Sequence, residues 1–119
     1  GDFTKLNTSL VIDMNNMFDG CHALSSVPLL NTTQVKDMHY MFFECKNLTA
    51  IPLFDTSKVT NVNCMFLACY KVQSGALALY NQMSTQATPP VSHSSTFTYC
   101  GRDTVTGAAE LAQIPDDWK

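Results

Sequence analysis

Charge is scarce in this chain. Lys, Arg, Asp and Glu make up 14% of its 119 residues, against roughly a quarter in an average globular domain. The formal net charge is −3, which argues against a strongly basic nucleic-acid binder. Long apolar stretches are also missing. The longest, residues 64–70, has seven residues, too few to cross a bilayer as a helix. No charged stretch followed by an apolar one opens the chain, as a secretory leader would. There is no C-x-x-C, G-x-S-x-G, H-E-x-x-H or phosphate-binding loop, so no motif points to a metal, a nucleophile or a nucleotide. The expectation is a protein that is not an enzyme and holds no cofactor or metal. Small uncharged polar residues take the place of charge: 13 Thr, 9 Ser and 8 Asn. At 13.1 kDa the chain is long enough to bury the core of one ordinary domain.

The strongest feature is internal repetition. Met17-Phe18, Met41-Phe42 and Met65-Phe66 are spaced by 24, as are Cys21, Cys45 and Cys69, Val11, Val35 and Val59, and Thr8, Thr32 and Thr56. Residues 7–30 and 31–54 share 11 identities in 24, and residues 31–54 and 55–78 share 6. A fourth, expanded copy follows. Phe97 and Cys100 keep the Phe-x-x-Cys spacing, and Leu111, Ile114 and Pro115 reproduce Leu48, Ile51 and Pro52. The domain reading is three repeats over 1–72 and a degenerate repeat with a C-terminal cap over 73–119, since terminal repeats must cover an exposed core end. Phe3 to Thr8 aligns with Val27 to Thr32, so the chain opens inside a repeat and is expected to be the C-terminal part of a longer protein.

Within one repeat, Leu48, Ile51 and Leu53 fit a leucine-rich pattern, and alternation predicts a short strand with Ile51 and Leu53 facing inward. Pro28, Pro52 and Pro115 keep that strand short. Asp55-Thr56-Ser57 reads as a helix N-cap cluster. Val59, Val62, Met65, Phe66 and Cys69 then mark one face of a short helix. The expected fold is α/β: a short right-handed leucine-rich-repeat solenoid of parallel strands and short helices. Two further helices are expected, over 74–86 and 107–113, with Trp118 sealing the last coil.

The pattern L-x-x-I-P-L-x-D-T-S-x-V, followed by M-F-x-x-C, resembles the BspA-type leucine-rich repeat of bacterial surface proteins, also found in mycoplasma surface lipoproteins and some phage tail proteins. The resemblance covers residues 3–72. It implies a solenoid displayed on a cell surface or secreted, or on a virion tail, with a protein-binding or adhesive role and no catalytic residues.

The candidate site is the outward strand face, because repeat proteins present such faces to partners. By alternation it comprises Leu6, Ser26, Pro28, Leu30, Ala50, Pro52, Phe54 and Asp55, with Leu6, Leu30 and Phe54 as an apolar ridge. The expected partner is a protein or glycan rather than nucleic acid or a membrane interior. The alternative is a structural stalk or spacer. Cys21, Cys45, Cys69 and Cys100 read as a column of buried thiols, with Cys64 facing solvent. His22, His39 and His93 read as surface residues. Asp13 and Asp37 read as caps, Met17/41/65 and Phe18/42/66 as core.

Overall fold

Each 24-residue repeat folds as one coil made of turns, and the coils lie above one another in register. The computed structural model describes residues 6–119; the start of the repeat alignment, Phe3 to Lys5, lies outside them. The coils meet at four isolated parallel bridges: Asp13 with Asp37, Asp37 with Asn61, Asn61 with Ser92, and Ala50 with Ser74. Among the described residues no β-strand forms. The regular elements are α1 (Ala76–Thr85), α2 (Val105–Ala112) and a 3₁₀ helix at Asp116–Trp118. The radius of gyration is 12.9 Å, close to the roughly 13.5 Å of a globule of this length. The expected α/β leucine-rich-repeat solenoid, with strands and helices in each unit, is therefore corrected. The chain is a compact globule of stacked turns, with its two α-helices at the C-terminal end.

The helix expected over 59–69 fails for a local reason. Two positions in each repeat have left-handed backbone: Asn16, Tyr40, Cys64 and Ser95 in one column, and Gly20, Glu44, Ala68 and Tyr99 in the other, with φ between 54° and 70°. Each breaks a right-handed helix. Around each of them the chain closes a four-residue β-turn, such as Met65 N to Val62 O at 3.1 Å and Cys69 N to Phe66 O at 3.2 Å. The apolar spacing read as a helix face is the spacing of these turns. The amides freed by this conformation bond to the next coil. The N–H groups of residues 14, 16, 18 and 20 donate to the carbonyls of 37, 39, 41 and 43, and the same holds for 38–44 and for 62–68, all at 2.7–3.0 Å. Four columns of three hydrogen bonds tie the coils together and satisfy the buried backbone.

The expected strand fails too. Phe54 N donates to Pro52 O at 3.0 Å, a γ-turn centred on Leu53. It reverses the alternation: Leu53 is 52% exposed and Phe54 fully buried, and in the coil before it Leu29 is 65% exposed and Leu30 6%. Leu48, Ile51 and Phe54 are buried at every third residue. The Leu30–Phe54 ridge expected on the surface is core, and Leu53, expected inside, is outside. Phe18, Phe42, Phe66 and Phe97 form the axis of that core, stacked at centroid distances of 5.3, 5.3 and 5.6 Å.

The inserted residues make the C-terminal end. α1 is preceded by its N-cap Gly75, whose φ of 103° brings it so close to Ile51 O that an added Cβ would lie 2.2 Å away. α2 is capped by Thr104 Oγ1, which accepts from Gly107 N at 2.9 Å and donates to Val72 O at 2.9 Å. Glu110 on α2 accepts from Leu77 N at 3.0 Å, so one helix caps the other. Both helices start within two residues of the expected positions. Trp118 is buried beneath Tyr80 and His93.

Candidate functional site

The outer side of the 29–33 and 53–57 segments carries two rungs of the same chemistry, one per coil. Asn31 Oδ1 accepts from Thr33 N at 3.1 Å and from Thr33 Oγ1 at 2.8 Å. One repeat later Asp55 Oδ1 accepts from Ser57 N at 2.9 Å and from Ser57 Oγ at 2.6 Å. These are Asx turns, and they replace the expected helix N-cap. The Ser57 hydroxyl, followed by its amide, holds the Asp55 carboxyl below its ordinary range, so Asp55 presents a fixed negative charge at neutral pH. Between the rungs, Thr8 Oγ1 donates to Asn31 O and Thr32 Oγ1 to Asp55 O, both at 2.7 Å.

This threonine ladder ends on α1. Thr56 Oγ1 donates to Gln86 Oε1 at 2.8 Å, and Gln86 Nε2 returns a bond to Thr56 O at 2.8 Å. Gln82 Nε2 donates to Phe54 O at 2.6 Å and to Thr56 Oγ1 at 3.1 Å. Two glutamines thus supply what another coil would have supplied. Where α1 rises beside the two rungs, an open groove of about 620 Å³ forms, lined by Leu29, Leu53, Asn31, Asp55, Gln82 and Gln86 among others. An apolar shelf of two exposed leucines beside a few fixed polar groups is the usual make-up of a recognition surface.

Of the residues expected on the binding face, Leu30 and Asp55 line this groove. Leu30 does so as a buried wall, and Phe54 is fully buried. Leu6, Ser26, Pro28 and Ala50 are exposed and Pro52 is half-buried, but the groove does not include them. Leu29, Leu53, Gln82 and Gln86 were missed. The 24-residue spacing of Leu29 and Leu53 was a visible signal; the glutamines sit in the insertion, where no repeat column marks them.

The other candidates are structural in their contacts. All five cysteines are free. Cys45 Sγ donates to Phe18 O at 3.1 Å and Cys69 Sγ to Phe42 O at 3.0 Å. Burial pushes the Cys45 thiol up to about 12 and raises those of Cys69 and Cys100 further, so they are inert at neutral pH. Cys21, at the end of the column, is half-buried. Met41 and Met65 are buried, while Met17 in the first coil is 38% exposed. Asp13, Asp37 and Asn61 each accept from the amide two residues on, at 2.9–3.0 Å. Asp37 Oδ1 also lies 2.6 Å from His39 Nδ1. Among the described residues no group of three or more His, Cys, Asp or Glu could hold a metal ion, and no helix is long and apolar enough to cross a membrane.

The family described as Mycoplasma protein of unknown function, DUF285, matches residues 1–98. The chain belongs to that family. No curated protein and no solved structure matches it. The family match takes in the three regular coils, α1 and the stacked Phe97, and stops before α2. It agrees with the mycoplasma part of the resemblance read from the repeats; no leucine-rich-repeat family matches.

Proposed function

We propose that this chain is a non-catalytic recognition module of the BspA-like kind found on mycoplasma surfaces, and that it engages a protein or glycan through the groove between the 29–33 and 53–57 segments and α1. The observation that carries the reading is the pair of exposed leucines, Leu29 at 65% and Leu53 at 52%, set in register beside the Asn31 and Asp55 turns. Exposed apolar residues in register on a rigid scaffold suit a partner's surface. The turns hold their polar groups in place before binding, which lowers the cost of ordering them. Family membership supports the surface setting.

The test is a binding screen of the purified protein against extracellular-matrix proteins, mucins and a glycan array. A Leu29→Asp/Leu53→Asp variant is run beside it, with circular dichroism to establish an unchanged fold. Binding by the parent and loss in the variant supports the groove. Equal binding by both removes the groove from the function. No binding by either favours the stalk or spacer role.

A further inference from the structure

A second, smaller groove lies at the far C-terminal end, away from the leucine shelf. Its volume is about 480 Å³, and it is lined by Thr98, Tyr99, Arg102, Ala108, Leu111, Ala112 and Lys119. That volume falls within the roughly 300–1,000 Å³ of small-molecule sites. Ala108 and Ala112, one helical turn apart, are exposed and give α2 an apolar side with Leu111. Small side chains there leave room above the helix.

The opposite wall is charged and aromatic. Arg102 is the one arginine of the chain. Its guanidinium carbon lies 4.4 Å from the Tyr70 ring centroid and 5.1 Å from that of Tyr99, and the two rings stack at 6.3 Å. Two tyrosine faces hold the cation in place. Its Nε donates to Asp103 Oδ1 at 3.1 Å, and the two Nη groups remain as the donors suited to a carboxylate. Lys119 adds a second cation; its Nζ donates to Leu111 O at 2.8 Å.

Two details lie beside the groove, the first of which, an aromatic in left-handed backbone, recurs at Tyr40 with φ 57°. Tyr99 occupies a left-handed position with φ 61°, where the first coil has Gly20 at φ 70°. A bulky aromatic in that conformation costs about 1–2 kcal/mol. Here it is 50% exposed, so core packing does not account for it. Thr98, in the wall beside it, carries a buried hydroxyl without a hydrogen-bond partner. Native structures seldom leave such a group unmatched; Thr96, outside the groove, carries another.

We propose that this groove binds a small amphipathic carboxylate. The acid group pairs with Arg102, with Lys119 nearby, and an alkyl or aryl tail lies along Ala108, Leu111 and Ala112. Charge complementarity selects the class: an arginine fixed on two rings beside an apolar floor favours an apolar acid over its neutral or cationic analogue.

The probe is octanoate, with 1-octanol and octylamine as neutral and cationic controls, titrated into the full chain and followed by amide chemical shifts. Octanoate is expected to move Thr98, Tyr99, Arg102 and Ala108, with both controls binding at least roughly tenfold more weakly. Arg102→Gln is expected to weaken octanoate by a similar factor with unchanged circular dichroism. Ala112→Trp, which fills the groove from the exposed side of α2, is expected to abolish binding by steric exclusion. No shifts at these residues with octanoate overturns the proposal. So does equal binding of octanoate and octanol, or an unchanged affinity in Arg102→Gln.

Discussion

Truncating Phe54 and truncating Leu53 should have opposite outcomes, although the residues are neighbours and strand alternation assigns them the reverse roles. Phe54 is fully buried, and its ring stacks against Phe42 at 5.9 Å. Phe54→Ala removes an aromatic from a packed interior, which costs about 3–5 kcal/mol. Leu53 is 52% exposed, and a surface truncation there stays within about 0.5 kcal/mol. For a domain of this size 1 kcal/mol moves the melting temperature by roughly 4 °C. Phe54→Ala should therefore melt about 12–20 °C lower, and Leu53→Ala within about 2 °C of the parent. Urea denaturation followed by circular dichroism gives the free energies directly, provided the m-value is unchanged. The pair also separates fold from function, since Leu53→Ala should weaken partner binding while leaving the melt intact. A Leu53→Ala loss equal to that of Phe54→Ala would refute the γ-turn at Leu53 and the burial pattern built on it.

Three further outcomes follow from the same structure. The buried thiols of Cys45, Cys69 and Cys100 are raised above the roughly 8.5 of an unfolded cysteine, so above that pH the unfolded chain loses protons that the folded chain keeps. Their stabilisation is full below about pH 8.5 and falls by about 1.4 kcal/mol per pH unit for each thiol above it; for Cys45 the loss continues to about pH 12. In urea melts from pH 8 to 10, Cys69→Ala should remove about a third of that slope, and an identical slope in the variant would contradict the assignment. Glu44→Gly, at φ 56°, should stabilise by about 0.5–1 kcal/mol because the left-handed strain exceeds the flexibility cost; a lower urea midpoint would count against strain there. Gly75→Ala should lose at least about 2 kcal/mol, since its Cβ would meet Ile51 O at 2.2 Å and its φ is 103°, and a neutral result would mean that α1 starts elsewhere.

The repeat was legible because 24-residue spacing places identical side chains above one another. Phe18, Phe42, Phe66 and Phe97 do stack, including the fourth ring across the seven-residue insertion. The backbone was not legible to the same degree. Residues 59–69 carry a helical apolar spacing, but consecutive β-turns place side chains inward at nearly the same intervals. Only the backbone angles at Cys64 and Ala68 distinguish the two, and neither residue type announces a left-handed conformation. In those columns only Gly20 and Asn16, residue types that tolerate it, hinted at it. The alternation at 51–54 failed for a similar reason: one γ-turn moves every later side chain to the other face. The groove was therefore half visible. Asp55 and Leu30 belonged to it on repeat grounds, whereas Gln82 and Gln86 reach it from an insertion that no column describes.

The four hydrogen-bond columns have an electrical consequence. In a trans peptide the N–H and C=O point opposite ways, so the twelve amides that donate toward the following coil align their peptide units along one axis. Each unit carries a dipole of about 3.5 D. Seven other amides, those of Lys36, Thr49, Thr60, Gln73, Ser92, Gly101 and Asp103, donate to the preceding coil and oppose them, so turns that form no helix build a partly cancelled field in a helix's sense, spread over a broad slab instead of a rod. The carbonyls of the twelve units point back toward the first coil, so the negative sense of that field lies on that coil's side.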